Sequence, residues 1–276
     1  MRGIEAIGAY LNQRLVDPEV AQRVTSMTQL LGSFGHDPWG LSQQKLILAA
    51  SSFKPIYERF FRCETYGLEN VPTSGRIMLI SNHSGQIPID GLLIGYSLVT
   101  NTHGARAPRA MVERWVPTVP YAGNILNSIG AVVGDPINCR RMLRREEAVI
   151  IFPEGTRGSG KTFGQRYQLQ RFGTGFMHLA MSEQTPIVPV AVIGCEESVP
   201  SLMNLAPLAR LLKMPYLPLA LPFPLPVKVQ IRFGEPMQFD SGAKQTEEQL
   251  QTNVEIVKQH IAAMIKQGLA QRRGWF

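Results

Sequence analysis

AVIIFPEGTRGSGKT, residues 148–162, sets four apolar residues, Ala148 to Ile151, directly against a glycine-rich turn. A short unbroken apolar run of this kind reads as a strand buried on both faces, as in parallel sheets. The turn is open to two readings. From Gly155 it spells G-x-x-x-x-G-K-[ST], closing on Gly160, Lys161 and Thr162, which is the pattern of a loop that cradles nucleotide phosphates. Such a loop leads straight into a helix, whereas Phe163-Gly164-Gln165-Arg166 is a poor helix start and glycines recur at 173 and 175. A nucleotide site also wants a buried strand ending in Asp for magnesium. The best candidate, VAVIG, ends in Cys195-Glu196-Glu197 instead.

Working outward, RIMLISNH (76–83), GAVVG (130–134) and IVPVAVIG (187–194) read as further strands. VKVQIRFGEP (227–236) alternates and is expected nearer an edge. Helices are expected over Asp90 to Leu98 and over 138–147, the latter with a basic face. Near the C-terminus Thr246 and Gln249 form a capping box, followed by a stripe of Leu250, Val254, Val257, Ile261 and Ile265. Strands alternating with helices define an α/β fold, a mostly parallel sheet flanked by helices, over residues 63–276.

Residues 1–62 read as an N-terminal helical segment. Asp17-Pro18 is a helix start, and Val20, Val24, Met27 and Leu31 follow at helical spacing before Gly32. Gln43 to Phe61 is a second helix, bent at Pro55, and Ile4, Ile7 and Leu11 hint at an earlier amphipathic turn. Such stripes suit core packing or a membrane surface. MPYLPLALPFPLP (214–226) holds five prolines and is neither helix nor central strand; it suits an apolar tunnel wall, a lipid contact or a surface crossover. The tail QRRGWF joins cations to aromatics, as at a lipid interface or in a disordered terminus.

With 44% hydrophobic and 18% charged residues the 276-residue chain is globular. Its 28 Lys+Arg against 21 Asp+Glu give +7, which suits an anionic membrane surface or a phosphate-bearing substrate. No nucleic-acid motif accompanies that charge, so nucleic acid is not an expected partner. Cys63, Cys139 and Cys195 are odd in number and lack C-x-x-C spacing, so neither disulfides nor a zinc site is expected, and a reducing, cytosol-facing location is. The N-terminus shows no secretory h-region and no window holds 18 uninterrupted apolar residues, so any membrane association is expected to be peripheral.

In SNHSGQIPID (81–90) His83 stands where a buried strand leaves the sheet, the place where α/β proteins bind ligands. Asp90 lies seven residues on, which is two turns, or about 10 Å, along an unbroken helix. Gly85 and Pro88 permit a tight loop instead, which would let the carboxylate fix the imidazole tautomer and leave the other nitrogen as a general base. No G-x-S-x-G elbow, H-E-x-x-H or paired acidic metal motif occurs, so no metal is expected.

Together these stretches resemble the glycerolipid acyltransferases of the lysophosphatidic acid acyltransferase type. Asn82-His83 with Asp90 looks like their first block, IGAVVGDP (129–136) sits where the second falls, FPEGTR (152–157) matches the third, and IVPVAVIG resembles the fourth, covering about residues 55 to 240. The spacing H-x6-D departs from the usual H-x4-D, and the second block lacks its usual Arg, for which Arg140, Arg141, Arg144 and Arg145 are the nearby candidates. The resemblance implies acyl transfer from acyl-CoA or acyl carrier protein to a lyso- or glycerolipid hydroxyl, with His83 and Asp90 catalytic and no resident cofactor. It implies that Glu154, Gly155, Thr156 and Arg157 position the acceptor, that backbone N–H groups near Ser84-Gly85 or Gly155 serve the oxyanion, and that the protein works at the cytoplasmic side of a membrane. A nucleotide-dependent enzyme, a lipid-binding protein and a thioesterase are the alternatives.

Overall fold

The computed structural model describes residues 15–27, 35–84, 88–114, 116–118, 122–204, 218–220, 223–240, 246–272 and 274. Among these, β1 (Glu64–Tyr66), β2 (Ile77–Ser81), β3 (Pro108–Val112), β4 (Ala131–Val133), β5 (Ala148–Ile151), β6 (Ile187–Ile193) and β9 (Gln230–Phe233) form one sheet. Its order is β1-β9-β6-β2-β5-β3-β4. The five strands from β6 to β4 run parallel, while β9 is antiparallel to β6 and carries β1 parallel to itself. The expected mostly parallel sheet is present, with β9 one place in from the edge. Strands β7 (Ser201–Asn204) and β8 (Pro218–Ala220) pair in a separate ribbon, so among the described residues the proline-rich stretch contributes no central strand.

The continuous apolar runs are explained by two buried faces. In β2, Ile77 and Leu79 join one core cluster while Met78 and Ile80 join the other. In β6, Val188, Val190 and Val192 face the first cluster, and Ile187, Ala191 and Ile193 the second. On the first face lie α1 (Pro18–Ser26), α2 (Gln43–Pro55) and α3 (Ile89–Val99), placing Val20, Val24, Leu46 and Ala50 in the same core as the sheet. The apolar stripes of α1 and α2 are thus core packing. After α3, α4 (Ala122–Ser128) leads into β4. The second face is covered by α5 (Pro136–Arg144), α7 (Gly175–Ser182) and the C-terminal α9, Glu247–Gln271.

Local chemistry sets the helix ends. The Asp17 carboxylate accepts the N–H groups of Glu19 and Val20 with Pro18 in the first turn, and Thr246 and Gln249 form the capping box of α9. The first of these helices ends at Ser26, short of Leu31, which lies outside the described residues together with Ile4, Ile7 and Leu11. At Pro55 the missing N–H breaks the ladder, and Ile56–Phe60 continues as a π-turn. Among the described residues no helix is long and apolar enough to cross a membrane.

Candidate active site

Strands β2 and β5 are parallel neighbours with Ile80 opposite Ile151, so the segments that leave their C-terminal ends meet. One carries Asn82-His83-Ser84; the other carries Phe152-Pro153-Glu154-Gly155 into the short helix α6 (Thr156–Ser159). Asn82 extends the ladder past the end of β2: its amide donates to the Val192 carbonyl (3.0 Å) and accepts the Val192 N–H (2.8 Å). That role was not legible in the sequence, because the partner strand is set by topology.

Asp90 sits in the first turn of α3, buried, with its Oδ2 2.7 Å from His83 Nδ1. The same oxygen accepts the Ser84 N–H at 2.8 Å and Oδ1 accepts the Gly91 N–H at 2.8 Å. A carboxylate so held is an acceptor, so Nδ1 of His83 carries the proton and Nε2 keeps a free lone pair. Gly85, which was expected to assist this loop, lies outside the described residues. The imidazole stacks on Phe152 with ring centroids 4.5 Å apart. Burial lowers its pKa, but the charge and hydrogen bond of Asp90, aided by Glu154, outweigh burial and the opposing Lys161 and hold the pKa above its ordinary value. An NMR titration of the His83 ring is therefore expected to show a midpoint above 6.5, lowered by Asp90→Asn. A wild-type midpoint at or below 6.5 contradicts this electrostatic account.

Glu154 is 1% exposed, and both its oxygens are occupied within the protein. Oε1 accepts the His83 N–H at 2.9 Å, Oε2 accepts the Gln170 N–H at 2.9 Å, and Lys161 Nζ stands 3.4 Å from Oε2. These contacts make Glu154 an internal latch between the two strand ends. Ser84 is likewise buried, with its N–H on Asp90, and the Gly155 N–H binds the Phe152 carbonyl, so neither N–H is free for an oxyanion. Gly155 has φ +56° and borders the cavity described below, whereas Arg157 is exposed with no ion pair among the described residues. Thr156 opens α6.

The phosphate-loop reading does not match this geometry. Helix α6 falls inside the would-be loop, Thr162 caps a single 3-10 turn (Phe163–Gln165), and Lys161 is turned inward. The basic residues after the second block are also elsewhere. Arg140 and Arg144 hold Glu183 (3.0 and 2.9 Å) and Arg145 holds Glu147 (3.2 Å), at the end of α5 that leads to the start of β5, opposite the strand ends that carry His83.

From His83 opens a cavity of about 650 Å³. It follows α3 from Gly91 past Leu92, Gly95 and Tyr96 to Val99, against Leu46 and Phe53 of α2 and the ends of β3 and β4. Its volume falls in the range of small-molecule sites, about 300–1,000 Å³, and its walls are mostly apolar, with His83, Glu113, Asp135 and Ser159 among the few polar side chains. A general base lining such a cavity can activate a hydroxyl beside a long hydrocarbon chain. Among the described residues no cluster of three or more His, Cys, Asp or Glu is suited to hold a metal ion.

Residues 62–193 match the protein-family model described as Acyltransferase. An uncharacterized protein of Mycobacterium leprae is 33% identical over 244 residues, covering 85% of this chain and 63% of that protein. The chain thus spans less than two thirds of the length of this relative. A human protein named DGAT1/2-independent enzyme synthesizing storage lipids is 24% identical over 216 residues, 75% of this chain and 63% of its own. The crystal structure of the 1-acyl-sn-glycerophosphate (LPA) acyltransferase PlsC from Thermotoga maritima shares the fold, with a TM-score of 0.54 at 17% identity over 99% of this chain and 100% of that one.

Proposed function

We propose, taking residues 62–193 as a domain of the acyltransferase family, that this chain moves a fatty acyl group from a thioester to a hydroxyl of a lysophospholipid or other glycerolipid. The observation that carries the reading is His83, held by Asp90 at 2.7 Å, in the wall of the largely apolar cavity. The donor's chain lies in the cavity along α3 and brings its thioester carbonyl to the imidazole. Nε2 of His83 takes the acceptor's hydroxyl proton, the oxygen attacks the carbonyl carbon, and the C–S bond breaks to release the thiolate of CoA or of an acyl carrier protein. Imidazolium then returns the proton to the thiolate. A thiolate is a good leaving group, so the route draws on no metal or resident cofactor and on no acyl-enzyme.

Only neutral imidazole can accept that proton, so a raised His83 pKa sets the acid limb: the rate falls as pH drops below it. Arg157, exposed on α6 between the cavity-lining Gly155 and Ser159, is the group suited to meet an anionic head group. Glu154 positions His83 rather than the acceptor. The human relative is named for synthesizing storage lipids and the Thermotoga protein for acylating 1-acyl-sn-glycerophosphate, which supports a lipid acceptor. The net charge of +7 supports work at an anionic, cytoplasm-facing membrane surface.

A mass-spectrometric assay of the purified protein with hexadecanoyl-CoA or hexadecanoyl carrier protein tests the reading. The acceptor panel is lysophosphatidic acid, lysophosphatidylcholine, monoacylglycerol and diacylglycerol. A newly acylated lipid is expected. Free fatty acid alone would assign a thioesterase, and no conversion with either donor would assign a lipid-binding protein. Chain length provides a further check. Gly95 lies five residues, about 7.5 Å, along α3 from Asp90. A Cβ there would already stand 3.3 Å from Pro108. Gly95→Val is expected to cut turnover of hexadecanoyl donors about tenfold, from overpacking of about 1.4 kcal/mol, with little change for octanoyl donors. Equal loss for both lengths would remove the chain from this part of the cavity.

A further inference from the structure

The lysine of the apparent phosphate loop needs an explanation of its own. Lys161 is almost wholly buried, with Nζ 2.6 Å from Glu196 Oε1 and 3.4 Å from Glu154 Oε2. Glu196 belongs to α8 (Cys195–Ser198), which follows the C-terminal end of β6, and its other oxygen accepts the Tyr167 N–H. Tyr167 in turn donates its hydroxyl to Glu197 at 2.8 Å, and the Glu197 carboxylate holds Arg272 just past α9. A buried chain of charges thus runs from the end of α9 through α8 and Lys161 to Glu154 and the main chain of His83.

Resting on the acyl-transfer reading, we propose that Lys161 is a positioning residue: clamped between Glu196 and Glu154, it fixes the carboxylate that holds the His83 main chain and sets the field on the imidazole. Two features require a cation there. Glu154 and Glu196 are both buried, and carboxylates brought together out of water repel unless a positive charge lies between them. In addition, the donors that Glu154 accepts, the His83 and Gln170 N–H groups, are neutral, and Lys161 brings positive charge to the Gln170-bound oxygen from the far end of α6. The charged groups facing His83 are Asp90 from α3, Glu154 from the β5–α6 turn and Lys161, with Glu196 of α8 behind Lys161. Burial raises the Glu196 pKa, against the pull of Lys161.

The test compares Lys161→Met with Glu196→Gln by thermal unfolding, NMR titration of the His83 ring and steady-state kinetics. Lys161→Met removes the cation and leaves Glu154 uncompensated, so the His83 midpoint is expected to rise. Glu196→Gln frees the lysine toward Glu154, so the midpoint is expected to fall. For Lys161→Met, kcat is expected to drop about 10–100-fold with KM within about twofold, because displacement of a catalytic group by about 1 Å costs on that order. Folded variants whose His83 midpoints match wild type overturn the proposal, even where the rate falls, because the lysine then only stiffens the loop. Shifts of the same sign in both variants also overturn it. The titration needs no turnover, so a wild-type protein without acyl transfer would refute the enzymatic reading while the midpoints still judged Lys161.

Discussion

His83→Ala is expected to lower acyl transfer about 10²–10⁴-fold, the contribution of a positioned general base, while the protein still folds. The fold tolerates the change because the part of His83 that ties the two strand ends together is its main chain. The N–H bound to Glu154 at 2.9 Å survives in alanine. Asp90 keeps the N–H groups of Ser84 and Gly91, so its buried carboxylate loses one partner of several. That loss, with the stacking on Phe152, is expected to cost about 1–3 kcal/mol of stability. Circular dichroism and urea unfolding measure the fold, and product formation at saturating donor measures the chemistry. A folded variant with wild-type turnover would remove His83 from the mechanism.

Glu154→Ala is expected to damage both stability and rate. It strips the acceptor from two backbone N–H groups, those of His83 and Gln170, and one of two partners from Lys161. Removing one member of a buried ion pair costs about 3–5 kcal/mol. Lys161 keeps Glu196 at 2.6 Å, which places the expected loss near the lower end of that range. For a chain of this size about 3 kcal/mol lowers the unfolding midpoint by roughly 6–12 °C. Turnover is expected to fall with it, since His83 loses the latch that aims its ring. A variant as stable as wild type, with unchanged kcat, would show that Glu154 does neither.

The strands were legible where burial on both faces writes itself as an unbroken apolar run, as in Met78–Ile80 and Ile187–Ile193. The His83–Asp90 contact was legible as a possibility, because Gly85 and Pro88 between them permit a chain reversal. β3 went unread since PRAMV carries a proline and an arginine; Arg109 is paired there through Nε and Nη2 with Glu147 and Asp37, partners remote in sequence. α7 was hidden by its opening Gly173-Thr174-Gly175 and its short length. The roles of Glu154 and Lys161 could not be read from FPEGTRGSGK, since Glu154 holds the remote His83 N–H and the Lys161 partner Glu196 lies 35 residues on, meeting it only once β6 is seated beside β2. The tail divides in the same way: Arg272 is buried against Glu197, while Arg273, Trp275 and Phe276 lie outside the described residues. The cavity exists only when α2 and α3 are packed on the sheet.

The acyl-transfer reading requires this cavity to hold an acyl chain with its reacting carbon at His83. A crystal structure of the protein with a non-transferable thioether analogue of hexadecanoyl-CoA tests it most directly. The expected density runs along α3 past Leu92 and Tyr96, with the carbon that replaces the carbonyl beside the His83 ring. An analogue bound with its chain outside the cavity, or with its sulfur remote from His83, would contradict it.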